Sequence, residues 1–218
     1  MCGRFINLNK VEKLKKIFEI NEFDNINNLI SYNIAPSQSS IIVTNHKSFK
    51  LEKAKWGFNF FDKLNNIKKS VINSRIETID KNIFFIESFE KRKCLIPANG
   101  YFEWTVKNNT KVPYFINVPD KETIYFAGIW KYNNFENNDS KVFSIITKPT
   151  NDLLKKIHHR MPFMLSQNES IEYLNTRDSH YLQKISSPIL EEYIEYFQIS
   201  KFVNNPFNNS EKCIQPII

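Results

Sequence analysis

Apolar residues gather in short, dense runs through the middle of the chain: SIIVTN at 40–45, LEKAKWGF at 51–58, YFEWTV at 101–106, PYFINV at 113–118, TIYFAGIW at 123–130 and KVFSIIT at 141–147. Each is rich in β-branched and aromatic residues and bounded by turn-forming clusters such as VKNNTK, VPDKE and NNFENND, so each predicts a strand. Strands that follow one another across short turns pair antiparallel. The pattern changes to the i, i+3, i+4 recurrence of an amphipathic helix in VEKLKKIFEI, with Val11, Leu14, Ile17 and Phe18 on one face, and again in IDKNIFFIESFEK from Ile79. SQNESIEYL opens on Ser166 and carries Glu169 three positions later, a capping-box start. TKPTNDLLKKIHHRMP predicts a helix from about Thr150 that turns Leu153, Leu154 and Ile157 inward, delivers His158 and His159 at its end and stops at Pro162. Asparagine-rich stretches at 25–28, 65–66, 133–138 and 204–209 read as solvated loops. The sum is an α+β fold, a single domain over residues 1–218 with an antiparallel, barrel-like β-sheet core and flanking helices. A βαβ dinucleotide-binding fold is disfavoured, since the chain has no Gly-rich phosphate loop.

Composition narrows the partners. Thirty Lys and Arg against 23 Asp and Glu give a formal charge of +7, dispersed along the chain, which favours a polyanion such as nucleic acid. Nineteen Phe and nine Tyr among abundant Asn, Lys and Ile are also what an AT-rich coding sequence yields, so part of that charge need carry no function. No apolar run approaches the roughly 20 residues that span a bilayer, and the first thirty positions are not patterned as a signal peptide. The expectation is a soluble intracellular protein with no membrane association and no targeting signal. Three cysteines without C-x-x-C spacing and four scattered histidines predict neither a disulfide scaffold nor a metal site, and no cofactor is expected.

Four glycines serve the whole chain, so each marks a place where the backbone is constrained. One of them, Gly3, follows Cys2. If Met1 is trimmed, Cys2 presents an α-amine and a thiol two carbons apart, with ordinary pKa values near 8 and 8.5, so both are partly nucleophilic at neutral pH. Such an end can condense with an aldehyde to an imine and close it to a thiazolidine, or act as an N-terminal nucleophile on an amide; position alone equally fits a cysteine with no role. Glu103 alternates with Phe102 and Trp104, which in a strand turns it to the opposite face, either toward a partly enclosed site suited to proton transfer or toward solvent. His158 titrates near neutrality and can move a proton. In VINSRIETI, a strand would put Asn73, Arg75 and Glu77 on one face, a combination more like a polar site wall than a core.

MCGRF, YNIAPSQ (32–38), KWGF (55–58), NSRIET (73–78), RKCLIPANGYFEW (92–104), FAGIW (126–130) and IHHRMP (157–162), in that order, resemble the SRAP family, the abasic-site processing proteins once labelled SOS-response-associated peptidases. FVNNPFNNSEKCIQPI resembles the family's closing segment, so the likeness covers almost the whole chain. It implies a covalent shield for abasic sites in single-stranded DNA, formed through Cys2 after Met1 removal. By the same resemblance Asn73 would hydrogen-bond the attached sugar, and Glu103 and His158 would manage protons. Arg4, Arg75 and Arg160 would hold phosphates, and Pro36 would shape the path of the strand. The implied protein is a monomer working at DNA in nucleus or nucleoid. Two positions depart from the family pattern: Asn99 stands where Asp is usual, removing a nearby acid, and FNFFDK offers Phe58, Phe60 and Phe61 where a Trp often meets the bases. Two alternatives use the same residues: an N-terminal-nucleophile hydrolase acting on amides, including self-removal of Met1, and a non-covalent single-strand nucleic-acid-binding module.

Overall fold

The structure, a computed structural model, describes residues 2–20, 26–62, 64–119, 122–133, 140–178, 180–185 and 189–217. Met1, the residues of NNFENND beyond Asn133, and the centre of the VPDKE turn lie outside the described residues. In chain order the first strands are β1 (Phe5–Asn7), β2 (Ser31–Ile34), β3 (Ser39–Asn45), β4 (Phe49–Trp56), β5 (Phe58–Asp62), β6 (Ile67–Val71) and β7 (Asn73–Arg75). After them come β8 (Lys93–Ala98), β9 (Gly100–Lys107), β10 (Thr110–Asn117), β11 (Ile124–Tyr132) and β12 (Lys141–Pro149). Short strands β13 (Arg160–Pro162), β14 (Met164–Leu165) and β15 (Glu195–Gln198) complete the set, with helices α1 (Val11–Ile17), α2 (Ile86–Lys91), α3 (Gln167–Asn175) and α4 (Tyr181–Lys184). No helix among the described residues is long and apolar enough to cross a membrane.

All six predicted strands form, and the β-sheet core is barrel-like. Pairings run β12 to β4, β3, β8 and β11, and β11 pairs back to β12, so the ring closes. One feature departs from the antiparallel expectation: β12 runs parallel to β4 and also to β7. Neither is its chain neighbour, so no short turn dictates direction. A second sheet, ordered β15-β10-β9-β1-β2, packs against the ring, and β5 and β6 form a separate two-stranded ribbon. The VKNNTK turn joining β9 to β10 places Asn108 and Asn109 at φ 49° and 58°, the left-handed pair that suits a tight hairpin.

The densest apolar runs follow from covering both faces of β3, β8, β11 and β12, whereas β4 alternates between buried and less buried positions. Phe126 and Trp130 of β11 face the cluster between the ring and the second sheet, whereas Tyr125, Ala127 and Ile129 face the cluster beneath the helices. On β9, Tyr101 joins the inter-sheet cluster and Phe102 joins a third one under the C-terminal segment. The chain steps from ring to second sheet at Asn99–Gly100. A Cβ at Gly100 would lie 2.5 Å from the Phe115 ring and 2.8 Å from the Ile116 carbonyl, so only glycine fits.

Two predicted helices are cut short. In the stretch from Ile79 only Ile86–Lys91 is α-helical, because Asn82 accepts from the amides of both Phe85 and Ile86 and its side chain caps Phe84, holding the preceding residues in turns. Residues 151–158 form consecutive turns with Leu154 and Ile157 buried and Leu153 43 % exposed, correcting the inward placement of Leu153. About ten residues separate β12 from antiparallel β13, too few to run out and back as a helix. By contrast, the Ser166–Glu169 capping box forms as expected and starts α3.

Candidate active site

Four stretches of chain meet where the second sheet faces the ring. β1 pairs with β9, and the Phe102 amide donates to the Arg4 carbonyl at 2.9 Å, so the residues before β1 continue alongside β9 toward Glu103. Cys2 is completely buried there, with its thiol 3.8 Å from the Arg4 carbonyl. Asn73 opens β7, held on β12 opposite Ile145, and its Nδ2 donates to the Cys2 carbonyl at 2.8 Å. Asn73 Oδ1 is buried without a hydrogen-bond partner among the described residues. The residue before it is pinned as well, since the Trp56 indole donates to the Ile72 carbonyl at 2.9 Å.

Glu103 is 4 % exposed, and burial pushes its carboxyl up to about 7. His158 Nδ1 lies 3.9 Å from Glu103 Oε1. That same Nδ1 lies 3.0 Å from the Arg160 amide nitrogen and 3.2 Å from the Arg160 carbonyl oxygen, so the Arg160 backbone fixes the orientation of the ring. Burial and nearby positive charge hold His158 down to about 4. At neutral pH the histidine is therefore an uncharged hydrogen-bond donor, and the group poised to exchange a proton is Glu103. Burial, reinforced by the Glu103 charge, drives the Cys2 thiol well up, so it rests protonated.

The expected phosphate ligands differ in availability. Arg75 is exposed. Arg4 is part-buried, and its Nη1 donates to Asn33 Oδ1 and to the Val203 carbonyl, both at 2.8 Å, with the guanidinium over Trp104. Arg160 is 7 % exposed and its two terminal nitrogens are engaged inside the fold: Glu77 accepts from Nη1 at 2.5 Å and Nη2 at 3.0 Å, and the Thr147 carbonyl accepts from Nη2 at 2.6 Å. Pro36 is exposed at a turn whose next residue, Ser37, has φ 69° and donates its amide to the Trp56 carbonyl, so the turn and Asn73 are braced by one indole-bearing residue. Gly3, Arg4, Trp104, Lys111 and Asn204 line an open cleft of about 320 Å³ beside the amino-terminal segment. Among the described residues no three His, Cys, Asp or Glu side chains converge as metal ligands.

Position 99 is not part of this pocket. Asn99 Oδ1 accepts from the Leu8 amide at 2.6 Å and its Nδ2 donates to the Glu122 carbonyl, a bond aspartate could not make. Sequence reasoning missed two contributors, Tyr101 and Asn33. Tyr101 sits two residues before Glu103 on the same strand face, and its hydroxyl is buried with no partner among the described residues; strand periodicity carried that signal. Glu77, expected on one strand face with Asn73 and Arg75, lies instead in the turn after β7, which ends at Arg75, and there it holds Arg160. Asn33 donates from Nδ2 to the carbonyls of Val203, Asn205 and Asn208, so the Asn-rich segment at 204–209 is fastened to the fold.

Residues 1–206 match the family described as SOS response associated peptidase (SRAP). The chain belongs to the SRAP family. Among its relatives is the abasic site processing protein YoqW of Bacillus subtilis (strain 168), 34 % identical over an alignment that covers 99 % of each chain. The abasic site processing protein YedK of Escherichia coli (strain K12) is 25 % identical, covering 85 % of this chain and 84 % of its own. A crystal structure of a protein from Bacteroides thetaiotaomicron superposes with a TM-score of 0.81 over the whole of both chains at 24 % identity, so the two share a fold. This SRAP chain thus carries the family's mixed α/β architecture, with buried Cys2, Asn73 and Glu103 and half-buried His158 gathered at one point.

Proposed function

We propose that this protein processes abasic sites in single-stranded DNA by linking to them covalently through Cys2 once Met1 has left. The observation that carries this reading is the convergence of Cys2, Asn73, Glu103 and His158 from four distant stretches of chain, in relatives of proteins named for abasic-site processing. The Cys2 α-amine attacks the ring-opened sugar aldehyde, and loss of water gives an imine. Glu103, with a pKa matched to neutral pH, passes protons between the amine and the departing water. His158 hydrogen-bonds the sugar oxygen during ring opening. The thiol then gives its proton to Glu103 while sulfur bonds to the imine carbon and the C=N electron pair returns to nitrogen, which takes the proton back from Glu103 as the thiazolidine closes. Asn73 holds the sugar, and Arg4 and Arg75 take phosphates. Arg160, clasped by Glu77, keeps the His158 turn in register. The protein acts as an intracellular monomer at DNA, and removal of Met1 is its only required proteolysis.

The test is an oligonucleotide bearing one abasic site, incubated with Met1-processed protein and examined by denaturing electrophoresis. A stable adduct is expected from wild type, Cys94→Ala and Cys213→Ala, and none from Cys2→Ala. An undiminished adduct from Cys2→Ala would sink the mechanism. Turnover of an amide substrate that depends on Cys2, without adduct, would favour the hydrolase instead.

A further inference from the structure

Beyond the pocket, the same face of β9 leads outward. Tyr101, Glu103, Thr105 and Lys107 alternate along it, passing from fully buried through half-buried to exposed. At about 7 Å per two residues, Lys107 stands roughly 14 Å from Glu103 along the strand. Beside this row lies a cleft of about 210 Å³ lined by Thr105, Lys107, Tyr114, Lys156, Ile157 and Tyr196. Tyr114 is the cross-strand partner of Glu103, and Ile157 directly precedes His158, so the cleft borders the pocket. Its volume is below the roughly 300–1,000 Å³ usual for a whole small ligand, which suits one segment of a longer chain.

The chemistry of the lining is that of a single-strand groove. Lys107 Nζ donates to the Tyr114 hydroxyl at 2.7 Å, and Lys156 Nζ lies 5.0 Å from the Tyr196 ring centre. The two tyrosine rings are 6.0 Å apart and tilted, and the Thr105 hydroxyl donates to the Lys156 carbonyl at 3.3 Å, tying the turn that carries Lys156 to β9. Asp152, the acid nearest in that turn, is paired with Lys155. Cations set beside aromatic faces bind a nucleic-acid strand whatever its sequence.

We propose that this cleft is a flanking-nucleotide subsite: the phosphate next to the abasic residue sits between Lys107 and Lys156, with the adjoining sugar and base against Tyr196. The assignment rests on the abasic-site reading above and gives the bound strand a direction of travel away from Glu103.

Binding is measured by fluorescence anisotropy in a Cys2→Ala background, which keeps the complex non-covalent, across 50–200 mM salt. Replacing Lys107 and Lys156 together by Gln should weaken single-strand binding about tenfold at low salt and flatten the log–log salt slope by about 0.7 to 1.4. Tyr196→Leu should weaken binding about tenfold and leave the slope unchanged. Trimming the oligonucleotide to the abasic residue on one side, and not on the other, should erase both differences. Unchanged affinity and slope in the double variant, at unaltered melting temperature, would overturn the subsite, as would an equal loss on both sides of the lesion or on duplex of the same length. A wild-type protein that forms no adduct would defeat the covalent reading and leave these binding results to judge the subsite separately.

Discussion

Glu103 can act near neutral pH because the fold hides it, and that concealment has a thermodynamic signature. An acid raised from 4.5 to about 7 binds more protons folded than unfolded between those values, so stability falls as pH climbs through that window and is lowest above it. Glu103→Gln removes the ionisation. Relative to wild type, the Gln variant should gain on the order of 2–3 kcal/mol between pH 4.5 and 8, read from urea unfolding at several pH values. His158 works in the opposite sense: its pKa is lowered on folding, so its contribution is lost as pH falls below about 6.5 toward 4. The Tyr101 hydroxyl offers a second measurement at this scale. A buried hydroxyl with no partner among the described residues is a desolvation penalty, so Tyr101→Phe should raise stability by about 1 kcal/mol in the same assay. A loss of stability would mean that the hydroxyl is bonded in solution.

At the level of strands and turns, Gly57 separates β4 from β5 and redirects the chain between ring and ribbon. Its φ is +121°, and a Cβ there would fall 2.0 Å from Ser70 Oγ. Gly57→Ala should therefore cost about 1–3 kcal/mol and perturb the adjoining Trp56, visible as a change in tryptophan fluorescence with the unfolding midpoint. Strands were legible in the sequence because β3, β11 and β12 are covered on both faces, so their runs of Val, Ile, Phe and Tyr announce themselves, while β4 shows by alternation. Helices were less so. The apolar spacing from Ile79 to Phe89 obeys a helical period, yet local capture of amides by Asn82 wins over periodicity until Ile86, and Ile83 ends 93 % exposed. The meeting of Cys2, Asn73, Glu103 and His158 was legible only through the ordered motifs MCGRF, NSRIET, GYFEW and IHHRMP taken together, since spacing along the chain does not say which of them meet in space. What could not be read was which arginines remain free. Arg160 is captured by Glu77, and that ion pair depends on a turn after β7 and a strand 83 positions later meeting in space.

Across the whole molecule, the two ends of the chain are fastened together around Asn33, beside the direct Arg4–Val203 hydrogen bond. Asn33, 1 % exposed, accepts from Arg4 and donates to three carbonyls of the 203–208 segment. Asn33→Ala should cost about 2–4 kcal/mol and raise amide hydrogen exchange in residues 201–214 and 3–5 together. Exchange that rises in the C-terminal segment alone would show the ends to be independent. The asparagines at 204–209 carried no such signal in sequence, since composition cannot tell an amide that fastens backbone from one that faces solvent.

That fastening also sets a timetable. Arg4 and the Val203 carbonyl it binds are 199 positions apart. At roughly 5–20 residues per second, about 10 to 40 s of synthesis separate them. During that interval the newborn chain displays its Cys2 end without its closing clasp, and a chain that stops short of Val203 lacks the carbonyl on which Arg4 closes.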